Sequence, residues 1–136
     1  MFIYASSASE LYEKNRADNF RIKLPTRLDL RGTWEIAMLD LQLPLRMKAY
    51  TTNFFTLFST VCKESVLAGS QKPVLYRIYR SEIQGKKAIR ITNPHYVPLN
   101  VDSLEVLDLY ILDDKLEKPS FQRGETTCTL HLRRKL

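Results

Sequence analysis

The chain has 136 residues, of which 21 are lysine or arginine and 15 are aspartate or glutamate, giving a formal net charge of +6. A chain of this length forms one domain, whose core is large enough to be stable without metal or disulfide staples. Its hydrophobic fraction of 44% is too high for a disordered chain, and no run approaches the roughly 18 apolar residues of a membrane helix. We therefore expect a single packed domain with no membrane partner.

The beginning of the chain differs in composition from the rest. Residues 1–18 are polar and rich in serine and alanine, which predicts an extended N-terminal arm before a domain that covers residues 19–136. Helical patterns occur only at residues 9–16 and 59–67, and both are short. We expect less than about a fifth of the chain to be helical, well below the usual third.

Two strands are predicted in the first part of the domain. Phe20, Ile22 and Leu24 alternate with charged residues, which predicts a strand with one face in water. Pro25 should limit that strand, because proline cannot donate a hydrogen bond to an interior ladder. Residues 33–43 form the next predicted strand. Their apolar side chains change parity midway, which indicates a bulge or a strand that passes between sheets.

Later segments extend the strand pattern. Residues 54–62 are apolar on both parities, so this strand is buried on both sides or has one face covered by another subunit. Further strands are predicted at residues 74–80, 87–91, 104–112 and 126–134. Seven or eight short strands separated by turn signals predict an antiparallel all-β domain, either a sandwich or a barrel. The side chains expected in its core are Trp34, Ile36, Leu107, Leu109, Leu130 and Leu132.

The sequence carries no recognisable catalytic or cofactor motif. His95 and His131 are the only histidines, and neither lies in a known catalytic context. Asp113 and Asp114 resemble a metal or acid–base pair, but adjacent strand residues point to opposite faces and a turn is favoured. The cysteines lack the spacing of a metal site and are expected to be reduced thiols. We predict a protein that is not an enzyme and needs no cofactor.

Charge is distributed unevenly along the chain. Residues 63–90 contain seven basic and two acidic groups, whereas residues 100–120 contain six acidic and two basic groups. Segments of opposite sign suit self-association or docking on another protein through charge complementarity. The residues predicted to lie at a subunit interface are Arg77, Arg80, Asp102 and Glu105.

An alternative use of the basic segment is nucleic-acid binding. Bases stack on aromatic side chains beside cations, and residues 72–90 contain both kinds of side chain. Tyr76 and Tyr79 lie on opposite parities of the predicted strand, so they cannot form one stacking platform without a bulge. A small monomeric β-barrel that binds single-stranded nucleic acid is therefore the alternative hypothesis.

Two blocks of sequence carry a family resemblance. The first contains NFRIKLP at residues 19–25 and LDLRGTWEIAM at residues 28–38; the second contains NPHYVPL at 93–99, LDLYILDD at 107–114, SFQRG at 120–124 and TLHLRR at 129–134. In order and content the blocks resemble the penton, or minor capsid, protein of Polinton (Maverick) elements and adintovirus-like DNA viruses. This chain is a shortened form, with less sequence between the two blocks.

The resemblance implies a fold and a role. The fold is a single jelly roll of eight strands in two facing sheets, and the family forms pentamers at capsid vertices beside the major capsid protein. Such a protein is assembled in the nucleus of the host cell and is then part of the virion. Its N-terminal arm connects neighbouring subunits. Its basic charge is compatible with a nonspecific contact to nucleic acid. The matching motifs are structural, so no individual functional residue is carried over.

Overall fold

Nearly all of the regular structure is β-strand. The computed structural model describes residues 1–8, 12–44, 52–83, 86, 88–121 and 123–135. Strands hold 56% of the described residues and helix holds 3%, so the prediction of an all-β protein with little helix is confirmed. Residues 9–11 of the predicted arm and residue 87 of a predicted strand lie outside the described residues. No helix in the described parts of the chain is long and apolar enough to cross a bilayer.

The described chain forms eleven strands and one short helix, more strands than the seven or eight that were predicted. In chain order they are β1 (Phe2–Ser6), β2 (Asn19–Asp29), β3 (Trp34–Gln42), β4 (Phe54–Phe58), β5 (Ser65–Leu67), β6 (Ser70–Lys72), β7 (Val74–Tyr79), α1 (Arg80–Ile83), β8 (Ala88–Arg90), β9 (Val97–Pro98), β10 (Ser103–Leu112) and β11 (Thr127–Arg134).

Two large antiparallel sheets share one hydrophobic core. The first has the order β1-β11-β3-β8, with β9 also paired to β3, and the second has the order β2-β10-β4-β7. Strands β5 and β6 form a separate hairpin. The core contains Ile36 and Leu130 from the first sheet and Leu57 and Leu109 from the second. This layering is that expected of a β-sandwich.

The parity change in the third strand has the cause predicted for it. Met38 pairs with Leu130 and Asp40 pairs with Thr129, which leaves Leu39 as an extra residue on β3. This is a β-bulge, and it reverses which parity faces the core. Met38 and Leu41 are therefore both buried, although a spacing of three positions would place them on opposite faces of a regular strand.

Pro25 does not limit its strand, contrary to the prediction. β2 continues through Pro25 to Asp29. It can do so because β2 is an edge strand of its sheet and because the hydrogen-bond ladder between β2 and β10 is interrupted at Pro25. Between the pairs Leu104–Leu28 and Val106–Lys23, β10 has one residue and β2 has four. Pro25 lies inside this irregular stretch, where its missing N–H removes no ladder hydrogen bond.

The predicted N-terminal arm is wrong for its first residues. Phe2–Ser6 form β1, an antiparallel strand paired with β11 along its length. Ile3 and Ala5 point into the core and are buried, while Phe2 and Tyr4 point outward. The alternation is short and its outward residues are aromatic rather than charged, so the strand is hard to distinguish from an extended arm in the sequence.

The strand predicted to be apolar on both faces is shorter than expected, and the chain itself buries both of its faces. β4 ends at Phe58, and a turn closed by the Cys62 N–H and the Ser59 carbonyl follows (3.0 Å). This turn also replaces the helical pattern at residues 59–67. Phe55 and Leu57 enter the core, whereas Phe58 is fully buried on the other face, where it stacks on Tyr110 at 4.8 Å between ring centroids. The strand therefore needs no second subunit to cover it.

Thr56 lies on that outer face of β4 and carries a buried hydroxyl. The residue is completely shielded, and its Oγ1 has no hydrogen-bond partner among the described residues. An unpaired buried hydroxyl destabilises the folded state by about 1–3 kcal/mol. We expect Thr56→Val, which keeps the shape, to raise the free energy of unfolding in urea by about 1 kcal/mol. Thr129→Val on the outward parity of β11 serves as the control and should change it little. A destabilised Thr56→Val protein would contradict the expectation.

Five of the six predicted core residues are buried, and Trp34 is the exception. Ile36, Leu107, Leu109, Leu130 and Leu132 are at most 2% exposed. Trp34 is only half-buried at the start of β3, where it packs against the edge of the core. Its indole Nε1–H donates to the Arg31 carbonyl at 3.2 Å. A tryptophan at a strand end keeps its polar edge near water, because that edge needs a partner.

Candidate assembly surfaces

A basic corner lies at the free edge of the four-stranded sheet. Arg77 sits on the outward parity of β7, and its guanidinium carbon lies 4.2 Å from the centroid of the Phe54 ring. Tyr79, two residues further, is 48% exposed and meets the same ring edge-on at 5.9 Å. Phe54 therefore holds Arg77 by a cation–π contact that fixes the direction of its charge.

Arg80 follows at the junction of β7 and α1. Its backbone N–H donates to the Asn53 carbonyl at 2.8 Å, which anchors the end of β7 to the chain before β4. The residue is exposed. Arg77 and Arg80, the two predicted basic interface residues, thus lie near each other at one end of an edge strand.

An acidic corner is formed at the start of β10. Asp102 and Glu105 are both exposed, and neither carboxylate forms an ion pair with the described residues. The Asp102 carbonyl accepts a hydrogen bond from the Leu30 N–H at 2.8 Å, which fixes the position of this corner against the end of β2. The two predicted acidic residues are therefore available to another molecule.

The other aspartates of the acidic segment act within the chain. Asp108 accepts hydrogen bonds from the Thr60 hydroxyl at 2.6 Å and from the Thr60 N–H at 3.1 Å. Asp113 accepts from two N–H groups of its own turn, each at 2.9 Å. Asp114 accepts from the Asn53 N–H at 3.0 Å. The prediction that Asp113 and Asp114 belong to a turn is confirmed.

The basic and acidic corners lie far apart on one molecule. Leu112 pairs with Thr56 and Thr56 pairs with Arg77, so Arg77 is level with the end of β10. Glu105 lies seven residues earlier on β10, a distance of roughly 23 Å along a strand at about 3.3 Å per residue. The four predicted residues therefore form two separate pairs that do not contact each other within one molecule.

The groups examined for catalysis are placed for other roles. Cys62 and Cys128 are free and buried, and desolvation raises the pKa of each thiol to about 12. Both are free of a disulfide, as predicted, and the raised pKa keeps each thiol protonated at neutral pH. His95 is exposed. Within the described ranges, no three His, Cys, Asp or Glu side chains are grouped to hold a metal ion.

An aromatic and basic network on the outer face of the five-stranded sheet was not predicted. The His131 Nδ1 lies 2.8 Å from the Tyr96 hydroxyl, and the Phe2 ring lies 4.8 Å from the His131 ring. The Arg133 guanidinium covers the Tyr96 ring at 3.4 Å and donates through Nε to Glu35 at 2.6 Å. The outward parity of His131 and Arg133 was visible in the sequence, but their partners come from distant segments.

His131 gives the network a dependence on pH. Desolvation, with contributions from the N-terminus and Arg133, lowers the pKa of His131 below its ordinary value of 6.5. The unfolded chain then binds more protons than the folded one between these two pKa values. We expect the free energy of unfolding to fall as pH decreases below about 6.5, and His131→Gln to remove this part of the slope. A His131→Gln protein with an unchanged slope would contradict the expectation.

Comparison with known proteins adds no assignment to this geometry. No protein-family model matches the chain, and no curated protein matches it. The observations that bear on function are therefore the strand pairing and the placement of the two charged corners.

Proposed function

We propose that this chain is a penton-type minor capsid protein. It is a jelly-roll subunit that closes into a homopentameric ring at a capsid vertex and contacts the major capsid protein there. In this proposal it is a structural part of the virion, assembled in the host nucleus, without enzymatic activity. The order of strand pairing carries the proposal, and the number five comes from the sequence resemblance.

The pairing has the pattern of a wrapped ribbon. When the hairpin of β5 and β6 and the short β9 are set aside, eight strands remain. Numbered along the chain, strands one to eight are β1, β2, β3, β4, β7, β8, β10 and β11. The first pairs with the eighth (β1 with β11), the second with the seventh (β2 with β10), the third with the sixth (β3 with β8) and the fourth with the fifth (β4 with β7). This is a long antiparallel hairpin.

Two further pairings wrap the hairpin into two sheets. β11 pairs with β3 and β10 pairs with β4, which join the eighth strand to the third and the seventh to the fourth. These six pairings are the ones expected of a jelly roll, an architecture used by viral capsid and lectin domains, and they support that part of the proposal. The topology supports the family resemblance because the two arise from different observations.

The two charged corners support contacts between copies of the chain and are compatible with a ring. A ring uses heterologous contacts, in which one surface of each copy meets a different surface of the next. Arg77 and Arg80 at one corner and Asp102 and Glu105 at the other provide two such surfaces.

The alternative function is binding of single-stranded nucleic acid at residues 72–90. Tyr79 is exposed next to Arg77, but Tyr76 is half-buried against the core on the other parity. The two tyrosines therefore do not form one platform, and the acidic corner at Asp102 and Glu105 has no part in this function. The capsomer is the better supported proposal.

Light scattering after size exclusion separates the two functions. A capsomer elutes at a defined mass of five times the 15.9 kDa chain, and that mass decreases as salt screens the charged contacts. A nucleic-acid binder stays monomeric and loses affinity for an oligothymidine log-linearly with salt through counterion release. A folded protein that is monomeric at high micromolar concentration would overturn the capsomer proposal.

A further inference from the structure

No strand in the described parts of the chain pairs with the outer edge of β1, which is called the open edge below. In an antiparallel ladder, alternate residues bond to the partner strand and the residues between them point to the other side. Met1 exchanges both backbone hydrogen bonds with Leu132, each at 2.9 Å, and the Ser7 N–H donates to the Thr126 carbonyl at 2.9 Å. The odd-numbered residues of β1 therefore bond to β11, and the even-numbered residues face the open edge.

Those even-numbered residues combine free backbone groups with exposed rings. Phe2, Tyr4 and Ser6 direct their N–H and C=O groups along the open edge. Their side chains lie on the outward parity, where Phe2 is 55% and Tyr4 is 79% exposed. An extended chain placed alongside could pair with this edge and also contact two aromatic rings.

This edge lacks the protection that the other sheet ends carry. Edge strands usually avoid unwanted pairing through charged side chains or proline. The strands at the other ends of the two large sheets contain such residues: Arg21, Lys23, Pro25 and Arg27 in β2, Arg77 in β7, Arg90 in β8 and Pro98 in β9. β1, with the sequence FIYAS, contains neither a charged side chain nor a proline.

A groove of about 520 Å³ runs between β1 and β2. Ile3 and Tyr4 line one side of it, and Ile22 and Leu24 line the other. Its only charged lining side chain is Lys23, and no lining residue is acidic. The groove is therefore lined mainly by apolar side chains, with Lys23 as its cationic side chain.

We propose that the open edge of β1 binds an extended segment of another protein, in which apolar residues alternate with acidic ones. The segment adds a strand to the five-stranded sheet, with its backbone bonded to Phe2, Tyr4 and Ser6. Because alternate side chains of a strand point to opposite faces, its carboxylates lie on the face toward the groove and Lys23, and its apolar side chains lie on the outward face beside Phe2 and Tyr4. This site does not use the charged corners of the proposed ring and does not depend on that ring.

The charge favours such a partner over a second copy of this chain. Two β1 edges placed together would match in shape but would supply no carboxylate to Lys23 of either copy. Each copy would also bring its own Lys23 to the contact, and the lysines carry the same charge. Like charges placed together oppose association, whereas an acidic segment is attracted to Lys23.

Amide hydrogen exchange measured by NMR tests the proposal directly. The probe is a synthetic peptide of alternating valine and glutamate with blocked ends. On binding, we expect the exchange of the Tyr4 and Ser6 amides to slow by at least about tenfold. The Ile3 and Ala5 amides already bond to β11 and should change little.

A matched pair of variants separates backbone pairing from side-chain contact. Tyr4→Pro removes an N–H of the open edge and leaves the ladder to β11 intact, whereas Tyr4→Ala removes the ring and keeps the N–H. We expect Tyr4→Pro to weaken peptide binding by at least about tenfold and Tyr4→Ala by no more than about threefold. Lys23→Glu should weaken it at low salt.

Several results would overturn the proposal. They are failure of the peptide to bind the wild-type protein, equal binding by Tyr4→Pro and Tyr4→Ala, and slowed exchange at another edge. Tighter binding of a valine–lysine peptide or of an oligothymidine to the same edge would also overturn it. Because the exchange experiment uses the wild-type protein, it decides the matter even if a variant fails to fold. The mass of the wild-type protein, measured separately, reports on the ring.

Discussion

Replacing Leu130 with alanine should lower the free energy of unfolding by about 3–5 kcal/mol. Leu130 lies in the middle of β11, has no measurable exposure and belongs to the core that both large sheets share. β11 is paired on both sides, with β1 and with β3, so neighbouring strands cannot easily move to fill the cavity. A loss of this size is a large part of the stability of a small domain.

Urea unfolding, followed by the fluorescence of Trp34, measures this loss. Val66→Ala in the exposed hairpin of β5 and β6 is the matched control, because Val66 is 78% exposed. We expect the control to change the free energy of unfolding by no more than about 0.5 kcal/mol. Similar values for the two variants would contradict the placement of β11 in the core.

Reversing the charge of the basic corner should dissociate the ring. With Arg77→Glu and Arg80→Glu together, each contact would bring four acidic groups together in place of two ion-paired corners. Like-charge contacts of this kind oppose association by several kcal/mol, so the concentration needed for assembly should rise by at least about a hundredfold. Sedimentation velocity measures the distribution of masses.

The fold of that variant must stay intact for the result to be informative. Arg80 is exposed, and Arg77 is half-buried but points away from the core, so the far-UV spectrum should not change. Lys72→Glu reverses a charge of the same segment outside the corner and serves as the control. A variant of Arg77 and Arg80 that assembles as readily as the wild type would remove this surface from the ring contact.

Local sequence patterns predicted the strands well, because the alternation of apolar and polar residues that marks a strand lies within that strand's own sequence. The parity change within residues 33–43 indicated the bulge at Leu39, and the apolar alternation of residues 104–112 matched β10. The passage of β2 through Pro25 could not be predicted, since it depends on β2 being an edge strand and on four unpaired residues opposite one of β10. β1 was missed because its five residues are too few for a periodic signal.

The candidate sites show the same difference between local and distant information. The composition of two segments identified Arg77, Arg80, Asp102 and Glu105 as charged surface residues, and the structure leaves Asp102 and Glu105 exposed. The sequence could not show that Asp108 is held by the turn at Thr60, since residues far apart in the chain form that contact. It also suggested that β4 needs a covering subunit, whereas Tyr110 of the same chain covers it.

The mass of a fully charge-swapped protein tests the central claim most directly. This chain combines Arg77→Glu and Arg80→Glu with Asp102→Arg and Glu105→Arg, so each corner has the opposite sign and every contact of a ring is again complementary. If basic and acidic corners meet in a closed ring, native mass spectrometry will find this protein at the mass of the wild-type assembly, while the variant of Arg77 and Arg80 alone is monomeric. A swapped protein that is folded but still monomeric, or a wild-type protein that is itself monomeric, would contradict the claim.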